Sequence, residues 1–200
     1  METQQPAARG AASLFDLTGR LALVTGSSRG IGRTLVQGLA DAGASVILHG
    51  RGGAVLEESA RALAEAGATV ATTSFDVTDP AAVTAGVEAL LADHGTPDIL
   101  VNNAGVQRRA PFTEFAASDW DDVIATNLSS AFYVSRALAP AMAERGSGKI
   151  INIGSVQSVL ARQTIAPYSA SKGGLIMLTK GMAADLARHN IQVNALSPGY

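Results

Sequence analysis

Six short apolar runs punctuate the sequence, at 21–25, 45–49, 69–75, 99–102, 149–153 and 191–196. They are β-branched or apolar, and most are continuous rather than alternating, which is the pattern of strands covered on both faces. Longer Ala- and Leu-rich stretches with helical spacing separate them, beginning near Gly30, Ala54, Pro80, Ser118 and Ser169. Strand, helix and strand in repetition predict right-handed crossovers and an α/β fold built on a doubly wound parallel sheet. No linker or low-complexity segment interrupts residues 14–200, which are expected to form one domain behind a flexible tail over 1–13.

Composition narrows the function. With 47% hydrophobic residues, the 200-residue chain can bury a substantial core. The net charge of −2 is scattered, so no basic stripe points to nucleic acid and no polybasic segment to a membrane surface. No apolar run reaches the roughly 18 residues of a membrane span. There is no cysteine, and His49, His94 and His189 lack ligand spacing, so no metal site is expected. The first thirteen residues lack the apolar core of a signal peptide, and the expected location is the cytoplasm.

The turn after the first strand reads Thr25-Gly26-Ser27-Ser28-Arg29-Gly30-Ile31-Gly32 and leads directly into a helix. Glycines there allow close backbone approach, and the helix N-terminus offers free N–H groups and a positive dipole to a pyrophosphate. The position between first strand and first helix is that of a dinucleotide site in a Rossmann-like fold. At the end of the second strand such proteins usually carry an acid for the adenosine ribose of NAD. Here Gly50 stands in its place and Arg51 follows, with Arg29 available from the glycine turn. Guanidinium groups without a carboxylate suit a 2′-phosphate, so NADP(H) is favoured over NAD(H).

Further along lie Ser155, Tyr168 and Lys172. A free tyrosine, with a pKa of about 10, is a poor base near neutrality. Lys172 follows Tyr168 at i+4 on one helix face, and an ammonium beside a phenol favours the phenolate. Such a tyrosine can serve as base when an alcohol is oxidised and as acid when a ketone is reduced. Ser155 follows the fifth apolar run, at the sheet end where ligands bind. Asn127 falls in an apolar helical stretch where a buried amide needs partners.

With these motifs in this order the chain resembles the short-chain dehydrogenase/reductases from about Leu14 onward. Asp76-Val77, Asn102-Asn103-Ala104-Gly105 and Ser197-Pro198-Gly199 complete the resemblance. It implies that Asp76 and Val77 hold the adenine edge. It also implies that Asn103, Ala104 and Gly105 line the cofactor groove and that Pro198 and Gly199 lie beside the nicotinamide. Lys172 would bond the nicotinamide ribose, and Asn127, in a long fourth helix, would hold a water for proton relay. Homodimers or homotetramers paired through helices are implied as well.

Two stretches, 105–111 and 155–168, resemble the gluconate 5-dehydrogenase group of that family. The implied partner is a small sugar acid, 5-keto-D-gluconate, with Ser155 and Tyr168 at its carbonyl. Arg108, Arg109 and Arg162 could meet its carboxylate, Arg109 foremost, and Gln157 and Gln163 its hydroxyls. A 3-oxoacyl reductase or another polyol dehydrogenase is the alternative. Members of the family usually continue for about 50 residues beyond Ser-Pro-Gly, with a lid and a seventh strand. Its absence would leave the sixth strand as an open edge and suggests a second alternative, a non-catalytic NADP(H)-binding protein.

Overall fold

The computed structural model describes residues 14–199; the expected tail over 1–13 and Tyr200 lie outside them. The strands fall within one residue of the predicted runs: β1 Leu21–Val24, β2 Ser45–Gly50, β3 Val70–Ser74, β4 Ile99–Asn102, β5 Gly148–Ile153 and β6 Ile191–Leu196. All pair in parallel, in the order β3-β2-β1-β4-β5-β6. The helices are α1 Gly30–Asp41, α2 Ala54–Glu65, α3 Pro80–His94, α4 Ala117–Ile124, α5 Ser130–Arg145 and α6 Ala166–Leu186.

Alternate strand residues supply two cores. Leu23, Ile47, Leu100 and Ile150 pack with Val83 and Val87 of α3 and with Val134, Leu138 and Met142 of α5. On the opposite face Ala22, Val24, Val46 and Leu48 pack with Val36 of α1 and with Leu56 and Leu63 of α2. Burial on both faces explains why the inner strands β1, β2 and β4 are almost continuously apolar, whereas the edge strands β3 and β6 are partly exposed and carry Thr, Ser, Gln and Asn. The chain leaves β1 toward β2 and β3, then returns to place β4 on the other side of β1. That reversal opens a crevice at the strands' C-terminal ends, where such sheets bind ligands.

Two helices depart from expectation. The long fourth helix is divided: α4 and α5 are joined by a π-helical turn, Ala125–Ser129. The wider turn carries Asn127 into the interior, where it is 1% exposed. Helix α6 begins three residues before Ser169, with Pro167 in its first turn, where a missing N–H costs nothing. No helix among the described residues is long and apolar enough to cross a membrane.

Candidate active site

The crevice has three connected compartments. The first, about 510 Å³, runs from the glycine turn to the end of β3. It is bordered by Gly26, Ser28, Arg29, Ile31 and Gly32 on one side and by Asn103, Ala104 and Gly105 on the other. Gly26 has φ +62°, and a Cβ there would lie 2.9 Å from the Ala104 Cα. A Cβ on Gly32 would overlap the Gly26 carbonyl oxygen and the Asn103 amide. Both positions therefore require glycine for the turn to sit against the strand-β4 loop. Gly30, at φ +57°, opens α1 behind Arg29. The N-terminus of α1 has no side-chain cap and no acid in its first turn, so its N–H groups are available to an anion.

Thr25 stitches the two sides together. Its hydroxyl accepts from the Asn103 N–H at 3.0 Å and the Ala104 N–H at 3.1 Å. The Asn103 amide donates in return to the Thr25 and Gly26 carbonyls at 2.9 and 3.0 Å. Sequence reasoning gave Thr25 no role, because its partner Asn103 arrives 78 residues later.

At the far end of this compartment lie Gly50, Arg51, Asp76 and Val77. Arg51 is exposed, as is Arg29 across the opening. Asp76 accepts from the Thr78 N–H at 2.8 Å and the Thr78 hydroxyl at 2.7 Å. These bonds, with Arg51 contributing, hold its carboxyl below the usual range. The donor set fits a phosphorylated dinucleotide: an uncapped helix end for a pyrophosphate, two arginines at the opening, and no carboxylate on Gly50.

The second compartment, about 340 Å³, shares Ile31, Asn103, Gly105 and Val106 with the first. It brings together Ser155, Tyr168 and Lys172, singled out from residue type and spacing, with Pro198 and Gly199, which the family resemblance implied. Ser155 caps the short 3₁₀ turn Val156–Ser158, and its Oγ accepts from the Gln157 N–H at 3.1 Å. The hydroxyl hydrogen of Ser155 is thereby left to donate into the compartment. The Val156 N–H donates to the Pro198 carbonyl at 3.1 Å, drawing the turn after β6 to the same place.

Tyr168 is half-buried in the first turn of α6. Lys172 is 5% exposed, and its Nζ lies 5.9 Å from the Tyr168 ring centre. Nζ donates to the Ile153 carbonyl at 2.6 Å. Burial lowers the ammonium pKa from 10.5 to about 8. Asn127 is placed behind Lys172 with both amide hydrogens used: it exchanges two bonds with Val106 and donates to the Ser171 Oγ at 3.1 Å. The Ser171 hydroxyl donates to the Tyr168 carbonyl at 2.8 Å. The side chain of Asn127 thus has no N–H to spare for a water, and braces the start of α6 against the loop after β4.

The third compartment, about 170 Å³, shares Gln107, Ser155, Tyr168, Pro198 and Gly199 with the second and adds Gln157, Arg162 and Ile165. Gln107 was passed over by sequence reasoning; exposed on a loop, it carries no periodic signal. Arg108 is engaged elsewhere, with ion pairs to Asp119 at 3.5 Å and Asp122 at 2.7 Å. Arg109 and Gln163 are exposed and are not among the residues lining the three compartments. Thr164, at φ +70°, accepts through its carbonyl from the Ala110 N–H at 3.2 Å, so the two loops close on each other at the rim.

Known proteins share this arrangement. The sequence profile described as "short chain dehydrogenase" matches residues 20–200. Gluconate 5-dehydrogenase of Gluconobacter oxydans is 54% identical over 187 residues, covering 94% of this chain and 73% of that protein. The 3-oxoacyl-(acyl-carrier-protein) reductase of Escherichia coli is 42% identical over 187 residues, covering 93% and 75%. A crystal structure of a gluconate 5-dehydrogenase from Burkholderia cenocepacia in complex with NADP and tartrate superposes with a TM-score of 0.93 at 51% identity, covering 96% and 75%. A serine, tyrosine and lysine gathered beside a glycine turn on a six-stranded parallel sheet, together with these matches, make the chain a member of the short-chain dehydrogenase family.

Proposed function

We propose that the protein is a cytoplasmic NADP(H)-dependent oxidoreductase that interconverts 5-keto-D-gluconate and D-gluconate. The observation that carries this reading is the convergence of Ser155, Tyr168 and Lys172 in one compartment, between an anion-ready cleft and a polar pocket. The matches favour a sugar acid over an acyl chain, since the gluconate enzyme is 54% identical and the acyl reductase 42%. The crystallised relative at 51% identity holds NADP, and its tartrate is itself a hydroxylated carboxylate.

Held between the glycine turn at 26–32 and the residues Asn103, Gly105, Lys172, Pro198 and Gly199, a nicotinamide cofactor would supply the hydride for ketone reduction, or take it up in alcohol oxidation. The Ser155 hydroxyl, with its lone pairs turned to Gln157, donates a hydrogen bond to the carbonyl oxygen. The Tyr168 hydroxyl donates the proton that makes this oxygen an alcohol, and in oxidation takes it back. Lys172 holds positive charge near the Tyr168 ring and faces the cleft where the ribose would lie. Asn127 keeps α6 in register with the strand-β4 loop, so these groups stay aligned; both its amide hydrogens being used, a water of the relay would donate to Oδ1 or bond to a main-chain group.

Arg162 anchors the substrate carboxylate in this reading, and Gln107 and Gln157 meet its hydroxyls, because these three side chains line the pocket next to Tyr168. The groove between α5 and α6, about 370 Å³ and bordered by Phe132, Pro140, Met182 and Leu186, supports pairing with a second copy of the chain. Light scattering of Met182→Glu against the wild type tests that pairing.

The deciding experiment follows NADPH oxidation by the chain with 5-keto-D-gluconate, with NADH and a 3-oxoacyl thioester as controls. Turnover specific to NADPH and the keto acid is expected. Turnover of the thioester alone would replace the substrate reading. NADPH binding without any turnover would favour a non-catalytic binding protein.

A further inference from the structure

His49 ends the apolar part of β2 and is 2% exposed, yet it borders the first compartment. Both ring nitrogens are occupied. Nδ1 lies 3.2 Å from the Gly26 N–H, and Nε2 lies 3.1 Å from the Phe75 carbonyl oxygen. A backbone N–H can only donate and a carbonyl can only accept, so the contacts select the neutral imidazole with its hydrogen on Nε2. Burial favours the same form, lowering the pKa from 6.5 to about 4 against the opposing pull of the Phe75 carbonyl and Asp76.

The backbone of the same residue holds the next position of the turn. The His49 N–H donates to the Ser27 Oγ at 2.9 Å, and the His49 carbonyl accepts from the Ser27 N–H at 2.9 Å. The ring also packs on Phe75, with centres 4.3 Å apart, and Phe75 is followed directly by Asp76 and Val77. A single side chain thus spans the two turns that border opposite ends of the first compartment, and no other side chain is shown bonding to both among the described residues.

We propose that His49 is a positioning residue for the dinucleotide: a neutral imidazole strut that fixes the distance between the glycine turn and the Asp76–Val77 turn. This rests on the dinucleotide reading of the first compartment and is independent of the substrate and of the 2′-phosphate preference. Removing the strut frees the Gly26 N–H and lets the turns drift apart, so the loss falls on cofactor affinity and not on the chemistry beside Tyr168.

Fluorescence titration with both NADPH and NADH tests the proposal in the full chain. His49→Ala is expected to weaken both nucleotides at least about tenfold, with the KM for the ketone and kcat at saturating cofactor changed less than about twofold. His49→Asn, whose carbonyl can take the Gly26 N–H, is expected to restore most of that affinity. Unchanged affinity in His49→Ala overturns the proposal, as does a loss accompanied by an equal fall in kcat. Should His49→Ala fail to fold, ¹⁵N NMR of the wild type decides: a ring protonated on Nδ1 at neutral pH overturns it, and one protonated on Nε2 whose Nδ1 is coupled to the Gly26 amide supports it. A wild-type chain that binds neither nucleotide defeats the cofactor reading itself, and the role of His49 with it.

Discussion

Asn127 and Val106 hold each other by two reciprocal hydrogen bonds: the Val106 N–H donates to the Asn127 Oδ1 at 2.7 Å, and the Asn127 Nδ2 donates to the Val106 carbonyl at 2.9 Å. The π turn exists where this exchange requires it, and the remaining amide hydrogen goes to Ser171 on α6. Asn127→Ala should remove all three bonds and strand two backbone groups in a largely buried setting. The expected loss is about 2–4 kcal/mol of folding stability, read by urea titration. Stability within about 0.5 kcal/mol of wild type would mean that the loop is held by other contacts.

Cofactor choice should turn on Gly50. The atoms nearest to a Cβ there, on Ser28 and Leu56, lie at 3.6–3.7 Å, which is ordinary contact, so a Cβ is accepted without a clash. Gly50→Asp would set a carboxylate beside Arg51, able to accept from ribose hydroxyls and repel a 2′-phosphate. The ratio of kcat/KM for NADPH over NADH should fall by about tenfold or more. Arg51→Ala should weaken NADPH by about tenfold and leave NADH nearly unchanged.

Tyr168→Phe should leave NADPH binding intact and lower kcat by roughly 10²–10⁴-fold, the usual contribution of a positioned acid. The same chemistry carries a pH signature through Lys172, whose burial brings its pKa down to about 8. The ammonium is charged at pH 7 and neutral above that value. Accordingly, kcat/KM for ketone reduction should fall as pH rises through about 8. A profile that stays flat through that region would show that the charge of Lys172 is dispensable.

Substrate affinity should separate the arginines. Arg162→Ala is expected to raise the KM for 5-keto-D-gluconate about tenfold or more, and Arg109→Ala less than about threefold. The reverse order would return the carboxylate to the loop after β4.

His49 makes stability depend on acid. Its folded pKa, about 4, lies below the ordinary 6.5, so the unfolded chain binds its proton first as pH falls. The associated stability is fully present above about pH 6.5 and is lost as pH drops toward 4; a displacement of that size is worth on the order of 3 kcal/mol. Asp76, the charged group that acts on the ring, changes little over this window, because hydrogen bonds from Thr78 already hold its carboxyl low. Urea titrations at pH 7 and 4.5 should show a larger drop for the wild type than for His49→Asn.

The inner sheet was legible in the sequence because burial on both faces leaves continuous apolar runs such as 99–102. The Ser155, Tyr168 and Lys172 set was legible because chemistry restricts residue types more tightly than packing does. What escaped was set by distant parts of the chain. Nothing local marks Asn127 as the seat of a π turn; the Val106 backbone, 21 residues earlier, creates it. The choice among Arg108, Arg109 and Arg162 depends on Asp119 and Asp122 capturing the first and on how two loops meet at Thr164. His49 reads as one more apolar-strand residue until β3 brings Phe75 beneath it.

The seam made by Thr25 also bears on how the protein is born. During synthesis the glycine turn emerges early, but its hydroxyl partners on Asn103 and Ala104 follow 78 and 79 residues later. Until β4 has left the ribosome and docked beside β1, the turn lacks its opposite wall and no nucleotide pocket exists to be filled. Nucleotide therefore cannot shepherd the first three strands into place, and its stabilising influence begins only once the chain has crossed back over itself.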